Sequence, residues 1–250
     1  MRSTLAVLAV LMAVPSTAYA QAAAPAGEFG RGQFIVSADR LLGLFSYASR
    51  TDTRANGNQT IETTTSGPGI SLFHGGNRAV DVVHNTPRLS LDYALPMGLT
   101  LGGSVPLVFG LGGSQKTKVN GVDQPQRDAP TESIIGFVPR VGYILNLSDM
   151  FAFWPRGGFA YYRGSSSNKF VEQGVEVTDT TSRSFISIDI DPQFVILPVP
   201  HVGITLGALL NIPLGGSIES KRQAGPTTTT VETDSTVFHL GFNAGLLAYF

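Results

Sequence analysis

From about residue 33 onward the chain alternates apolar residues with small or polar ones at period 2, the signature of β-strands. The last strand is the clearest. Phe238, Leu240, Phe242, Ala244, Leu246, Ala248 and Phe250 share one face, and His239, Gly241, Asn243, Gly245, Leu247 and Tyr249 share the other. Residues 201–214 repeat the pattern, with Val202, Ile204, Leu206, Ala208, Leu210, Ile212 and Leu214 opposite His201, Gly203, Thr205, Gly207 and Asn211. In 185–197, Ile186, Ile188, Ile190, Phe194 and Ile196 oppose Ser187, Asp189, Asp191 and Gln193. In 87–95, Leu89, Leu91, Tyr93 and Leu95 oppose Arg88, Ser90, Asp92 and Ala94.

These rows predict strands of about 12 residues, longer than the 5–6 typical of soluble domains. They match the 9–11 needed to cross a bilayer as a tilted β-strand. A soluble sandwich would have shorter strands with its charges facing water. The connections alternate between short ones (96–98, 148–150, 198–200) and long polar ones (51–86, 114–132, 164–182, 216–235), as in barrels with short periplasmic turns and longer external loops. Counting gives eight strands, near 33–49, 86–95, 98–113, 133–147, 151–163, 183–197, 201–215 and 237–250. The predicted fold is all-β, an eight-stranded antiparallel up-and-down transmembrane β-barrel with both termini on the periplasmic side. Residues 69–75 could form a ninth strand, but 58–75 reads better as an ordered part of the first external loop or an extension above the membrane. The first strand loses phase at Asp39-Arg40, which predicts a β-bulge.

Composition agrees. Only 14% of residues are charged, 42% are apolar and 29 are glycine, yet no apolar run outside the N-terminus is long enough for a membrane helix. The formal charge of −1 excludes a basic nucleic-acid-binding surface. With no cysteine there is no disulfide scaffold, thiolate nucleophile or lipoprotein anchor. Residues 1–20 read as a signal peptide, with Arg2, an apolar stretch over 5–14 and a small-residue cleavage pattern at Ala18 and Ala20. Residues 21–31 read as a flexible lead-in and 32–250 as the barrel. The location expected is the cell outer membrane.

The final strand, alternating back from Phe250 through Tyr249, Leu246, Phe242, Leu240 and Phe238, resembles that of small bacterial outer-membrane barrels of the OmpA/OmpX-like eight-stranded type. The resemblance covers about residues 32–250. It implies that this strand is the signal read by the barrel-assembly machinery. It says little about function, because this architecture hosts adhesins, structural barrels, lipid-modifying enzymes and narrow channels.

The inward rows carry Arg88, Asp92, Arg140, Arg156, Asp189 and Asp191. Counted from the periplasmic ends, most fall in one layer at mid-height. An eight-stranded barrel has room inside only for side chains, so these charges are expected to pair into a salt-bridged plug, with Arg156 reaching Asp189 or Asp191. Prolines precede three of the arginines (Pro87, Pro139, Pro155) and Pro192 follows Asp191, an arrangement that conflicts with regular ladders. Outward aromatics fall in two groups, Tyr93, Phe151, Phe153 and Phe250 below and Phe109, Phe137, Phe159, Tyr161 and Phe238 above, as for interfacial girdles. His74 and His84 fall in the first external loop, where a solvated side chain is the default. His201 lies at a periplasmic turn, and His239 on the inward face near the external rim. No serine–histidine–acid set, metal-ligand spacing or phosphate loop is present, so neither catalysis, a metal nor a cofactor is expected. The reading is a monomeric, plugged barrel in outer-membrane lipid with a structural or surface-interaction role, its Thr/Ser-rich loops available to an external ligand. The alternatives are a narrow channel for small or hydrophobic solutes and, third, a lipid-modifying enzyme.

Overall fold

A strand set in lipid must satisfy its edges as well as its apolar face, because no water is present to bond an open N–H or C=O. The computed structural model meets this by closure. It describes residues 28–250 except 57–58, 70–83, 85, 111–112, 116–117, 120–121, 124–126, 130 and 173–174. The expected signal peptide with its expected cleavage residues Ala18 and Ala20, His74 and residues 70–75 therefore lie outside the described residues. The strands are β1 (Gln33–Asn56), β2 (Gln59–Gly69), β3 (Arg88–Ala94), β4 (Leu99–Phe109), β5 (Gly113–Gln115), β6 (Lys118–Val119), β7 (Val122–Asp123) and β8 (Arg127–Ala129). They continue with β9 (Thr131–Tyr143), β10 (Leu145–Asn146), β11 (Phe151–Trp154), β12 (Arg156–Glu172), β13 (Val175–Ile190), β14 (Gln193–Val199), β15 (Val202–Ala224) and β16 (Thr227–Tyr249).

Eight of these, β1, β3, β4, β9, β12, β13, β15 and β16, pair antiparallel in that order, and β16 returns to β1 to close a ring. The paired strands β10, β11 and β14 continue β9, β12 and β13 toward the short turns. At the seam Phe34 and Phe250 exchange backbone hydrogen bonds of 2.9 and 3.0 Å. The apolar rows face outward: Leu89, Leu91, Phe137, Phe159, Phe194, Phe242 and Phe250 are all exposed. No soluble fold leaves such a belt bare, and hydrocarbon is its natural solvent.

The walls run further than the expected strand ends. β12 and β13 stay in register to Glu172 and Val175, and β15 and β16 to Ala224 and Thr227. The stretches 164–182 and 216–235 are therefore hairpins rather than loops. Their β-branched and hydroxyl side chains tolerate water on both faces while the backbone ladder continues. The first long connection, expected to leave at residue 51, is also partly strand. β2 pairs with β1 from Ser46↔Gly69 to Asn56↔Gln59, while β3 pairs with the lower half of β1 from Gln33↔Ala94 to Asp39↔Arg88. One wall position is thus filled by two strands. Between them His84 and Thr86 turn into the barrel and are buried, which corrects the expectation of a solvated His84.

The bulge at Asp39-Arg40 is present. Ala38 pairs with Leu246 and Leu42 with Ala244, so β1 carries extra residues against Gly245 alone. Arg40 takes φ 60°, a left-handed conformation rare for a residue with a side chain. The consequence is that Asp39 and Arg40, consecutive in sequence, both point inward and are buried. Gly245 makes room for this, since a Cβ there would sit 2.6 Å from the Ala38 carbonyl oxygen.

The prolines mark lapses in the ladders. Pro155 separates β11 from β12, Pro192 falls between β13 and β14, and Pro87 precedes β3. Opposite Pro139, pairing with β12 skips from Arg140↔Gly158 to Tyr161↔Phe137. A residue without an N–H suits places where no partner takes it.

Gly245→Val is expected to block closure of β1 on β16. The heat-resistant, fast-migrating band of a folded barrel on unboiled gels should be lost in this variant and retained in Ala248→Val on the outer face.

Candidate functional site

The interior is built in three layers, and its floor is apolar. Phe29, Ile35, Ala94, Ile144, Ala152, Trp154, Val195, Leu197, Leu247 and Tyr249 form one buried cluster. Trp154 is fully buried and its indole N–H donates to Thr100 Oγ1 at 3.0 Å. Phe29 meets Trp154 edge-on at 6.4 Å and Tyr249 at 5.0 Å. Asn146 Nδ2 donates to the Phe29 carbonyl at 2.9 Å. At the end of the expected lead-in, Phe29 and Gly30 are buried in the floor, because Phe29 finds an apolar socket there, while Glu28 and Arg31 beside them are exposed. Gly30, at φ +84°, could carry no Cβ without striking Ile144. Tyr249, placed in the terminal assembly row, faces inward as part of this floor, while Phe238, Leu240, Phe242, Leu246 and Phe250 face outward.

Above the floor lies the charged layer. The six predicted residues, Arg88, Asp92, Arg140, Arg156, Asp189 and Asp191, are all buried here, joined by Asp39 and Arg40. Their bonds form two groups. In the larger, Arg140 donates side-on to Asp92 through Nε at 3.0 Å and Nη2 at 2.6 Å, and its Nη1 reaches Asp39 at 2.5 Å. Arg156 straddles Asp39, at 3.3 and 3.4 Å, and Asp191, at 2.6 Å. Ser90 Oγ adds a bond to Asp39 at 2.7 Å, and Gln193 donates to Asp191. In the smaller, Asp189 accepts from Arg40 at 3.0 Å and from Arg88 at 2.6 Å. Arg88 also donates to the Tyr162 hydroxyl, and Arg40 to the His84 carbonyl at 2.6 Å.

The first group holds two arginines and three aspartates, formally −1, and the second two arginines and one aspartate, formally +1. They adjoin, so the layer as a whole is neutral. Arg156 finds Asp191, one of the two candidates, while Asp189 serves β1 and β3 instead. Arg156 also lies over the Trp154 ring at 4.6 Å, tying charge to floor. The space left among Arg88, Val138, Arg140, Arg156, Asp189 and Asp191 is about 10 Å³, at the threshold for a single water.

The ceiling is a second apolar cluster, Ile134, Val138, Ala160, Tyr162, Phe185 and Val237, with Val108 and Ile218 against it. Between charge and ceiling the His84 ring meets Tyr162 edge-on at 4.9 Å and stacks on His239 at 5.9 Å. His239 is fully buried, its Nδ1 3.3 Å from Asn211 Oδ1. It is not at the rim as expected, because β15 and β16 continue for more than ten residues above it. His201 sits at a turn with φ 67° and its Nδ1 lies 3.0 Å from the Tyr249 carbonyl.

Sequence reasoning missed Asp39, Arg40 and Trp154. The loss of phase at Asp39-Arg40 was the available signal: a bulge that puts neighbours on one face adds an inward charge. Nothing in the pattern marks Trp154 as floor, since its place depends on the shear of the ring.

No family model matches the chain, and no curated protein matches it. Solved structures do. The outer membrane protease OmpT from Escherichia coli is 7% identical, with 87% of this chain and 97% of that one covered and a TM-score of 0.39. Ail, the attachment invasion locus protein of Yersinia pestis, is 12% identical over 87% and 99%, TM-score 0.30. Neisserial surface protein A is 10% identical over 88% and 97%, TM-score 0.31. The barrel rests on its own strand pairing and apolar belt, which are those of an outer-membrane β-barrel.

Asp39→Ala and Arg140→Ala should each destabilise the barrel by about 3–5 kcal/mol, the cost of stranding a buried partner. The double variant should cost clearly less than the sum. Denaturant midpoints in detergent measure both, and additive losses would show that the two side chains do not act as one network.

Proposed function

We propose that the protein is a closed, non-catalytic barrel of the bacterial outer membrane whose work is done at its external surface. The observation that carries this reading is the interior. A neutral ion-paired layer, in which the gap among Arg88, Val138, Arg140, Arg156, Asp189 and Asp191 is about 10 Å³, lies between two apolar layers. A diffusion channel needs a continuous wet path, and a hydrophobic one needs an apolar path; each is interrupted here by the other kind of layer. Hydrolysis of a lipid would need an activated nucleophile within reach of the membrane interface, whereas His239 and His84 lie deep in the lumen against Tyr162 and Asn211. Outside the membrane, paired strands extend the wall into water and present Thr- and Ser-rich faces. The outward terminal row ending in Phe250, which joins β1 at the seam, supports recognition by the assembly machinery.

Purified protein in planar bilayers is expected to show no steady conductance. Large, stable single-channel currents from the unmodified protein would reject this reading in favour of a channel.

A further inference from the structure

On the outer wall the apolar belt gives way to polar residues across one ring. Followed by register, that ring runs Leu107, Ile135, Arg163, Ser184, Ser217, Asp234. One row below, Phe137 pairs with Tyr161, and both aromatics are exposed. One row above, Ser133, Ser165 and Ser182 are successive partners across β9, β12 and β13. Arg163 therefore stands at the height where hydrocarbon meets lipid headgroups, above an interfacial aromatic pair.

Arg163 differs from the lumen arginines in having no counter-ion. It is exposed on the outer face, its register partners are Ile135 and Ser184, and no carboxylate among the described residues pairs with it. The acid in its own ring, Asp234, is three strands away, about 14 Å at the spacing of paired strands. Glu219 and Glu232, register partners in the next row up, are exposed on that same far side. At headgroup level the wall thus has a cationic side and an acidic side.

Next to the cationic side the belt is hollowed. Gly103 leaves a gap in the outer row of β4, and the groove around it holds about 570 Å³ between Leu89, Leu91, Val105, Leu107 and Phe137. Its upper end, Leu107, lies in the ring of Arg163, two strands or about 10 Å away. Phe137 leads from its side to Tyr161, which shares the outer face of β12 with Arg163. A hollow in a hydrocarbon-facing wall takes hydrocarbon, because a polar group there would go unsatisfied. A guanidinium without a counter-ion at the headgroup level takes an anion, and its planar fork matches phosphate. One lipid supplies both.

We infer that the strip of wall from Gly103 to Arg163 binds a phosphorylated glycolipid of the external leaflet. An acyl chain lies in the groove, the phosphate meets Arg163, and the hydroxyls of Ser165, Ser182 and Ser184 bond the sugar that carries it. Glu219, Glu232 and Asp234 repel the same headgroup, so the lipid is held on one side of the barrel. The site belongs to the outer wall alone and is independent of whether the lumen is closed.

The test is native mass spectrometry of the folded full chain in detergent, titrated with diphosphoryl lipid A, with dephosphorylated lipid A and with phosphatidylglycerol. Diphosphoryl lipid A should be retained at a concentration at least tenfold below that needed for either other lipid. Arg163→Gln should weaken its retention about tenfold and Arg163→Lys less. Leu91→Trp, which fills the groove from its rim, should weaken retention of both forms of lipid A. Asp234→Asn, on the acidic side, should not weaken it. Gel mobility of unboiled samples verifies that every variant folds. Equal retention of dephosphorylated lipid A or of phosphatidylglycerol, or retention that survives Arg163→Gln or Leu91→Trp, overturns the proposal.

Discussion

Everything inside this barrel follows from the cost of an unpaired charge in a space too narrow for water. Eight strands enclose a lumen that side chains fill, and an ion there keeps its charge only if other side chains replace its hydration. The chain takes its charges at this level from arginine and aspartate, with Ser90, Gln193 and Tyr162 adding hydrogen bonds. Arginine's fixed fork serves two acceptors at once, as Arg140 does for Asp92 and Asp39 and Arg156 for Asp39 and Asp191. Lysine, a compact and strongly hydrated point charge, would not bridge in this way. The demand reaches into the backbone. The bulge at Arg40 exists in a region of dihedral space that a side chain ordinarily avoids, and it delivers one acid to one group and one base to the other. Gly102, whose missing Cβ leaves room for Asp92, and Gly245, which admits the bulge, are the spaces that this packing requires.

The apolar layers are as much a part of the ion network as the ions. Low-polarity surroundings strengthen each bond and raise the cost of leaving one unmade. Trp154 below and Tyr162 above touch the network directly, the first under Arg156 and the second bonded to Arg88. Packing of the floor therefore fixes where a guanidinium lies, and Phe29, arriving from before the first strand, completes that floor. Closure of the lumen and rigidity of the wall are two results of one arrangement.

Period-2 alternation and strand length made the ring, its count of strands and the outward belt legible in the sequence, because each depends only on which face a residue takes. The inward charges at Arg88, Asp92, Arg140, Arg156, Asp189 and Asp191 were legible for the same reason. Which acid meets which base was not, since that depends on the shear between strands, and shear leaves no trace in the alternation. The extent of β12, β13, β15 and β16 was hidden because strands in water need no apolar face; their Thr- and Ser-rich sequence is compatible with loop and ladder alike. His84 was misjudged because a turn that re-enters the barrel looks, residue by residue, like any other polar connection. Its burial comes from long-range partners, Arg40 at its carbonyl and Tyr162 and His239 at its ring.

The split of one wall position between β2 and β3 falls where lipid stops constraining the wall. A membrane wall tolerates no open ladder at the level of the hydrocarbon, and there β3 is paired on both sides, with β1 and with β4. The interruption comes at Arg88, the level of the charged layer, where the chain leaves the wall, and His84 and Thr86 enter the lumen. The His84 carbonyl accepts from Arg40 and its ring packs against Tyr162 and His239, so the departure is made at the height of the charged layer. Above it the constraint of lipid is gone, and strand ends and register shifts there leave the membrane closed. The membrane half of the barrel is governed by closure and charge balance. The external half is bound by neither, and it is there that a distinct surface chemistry accumulates.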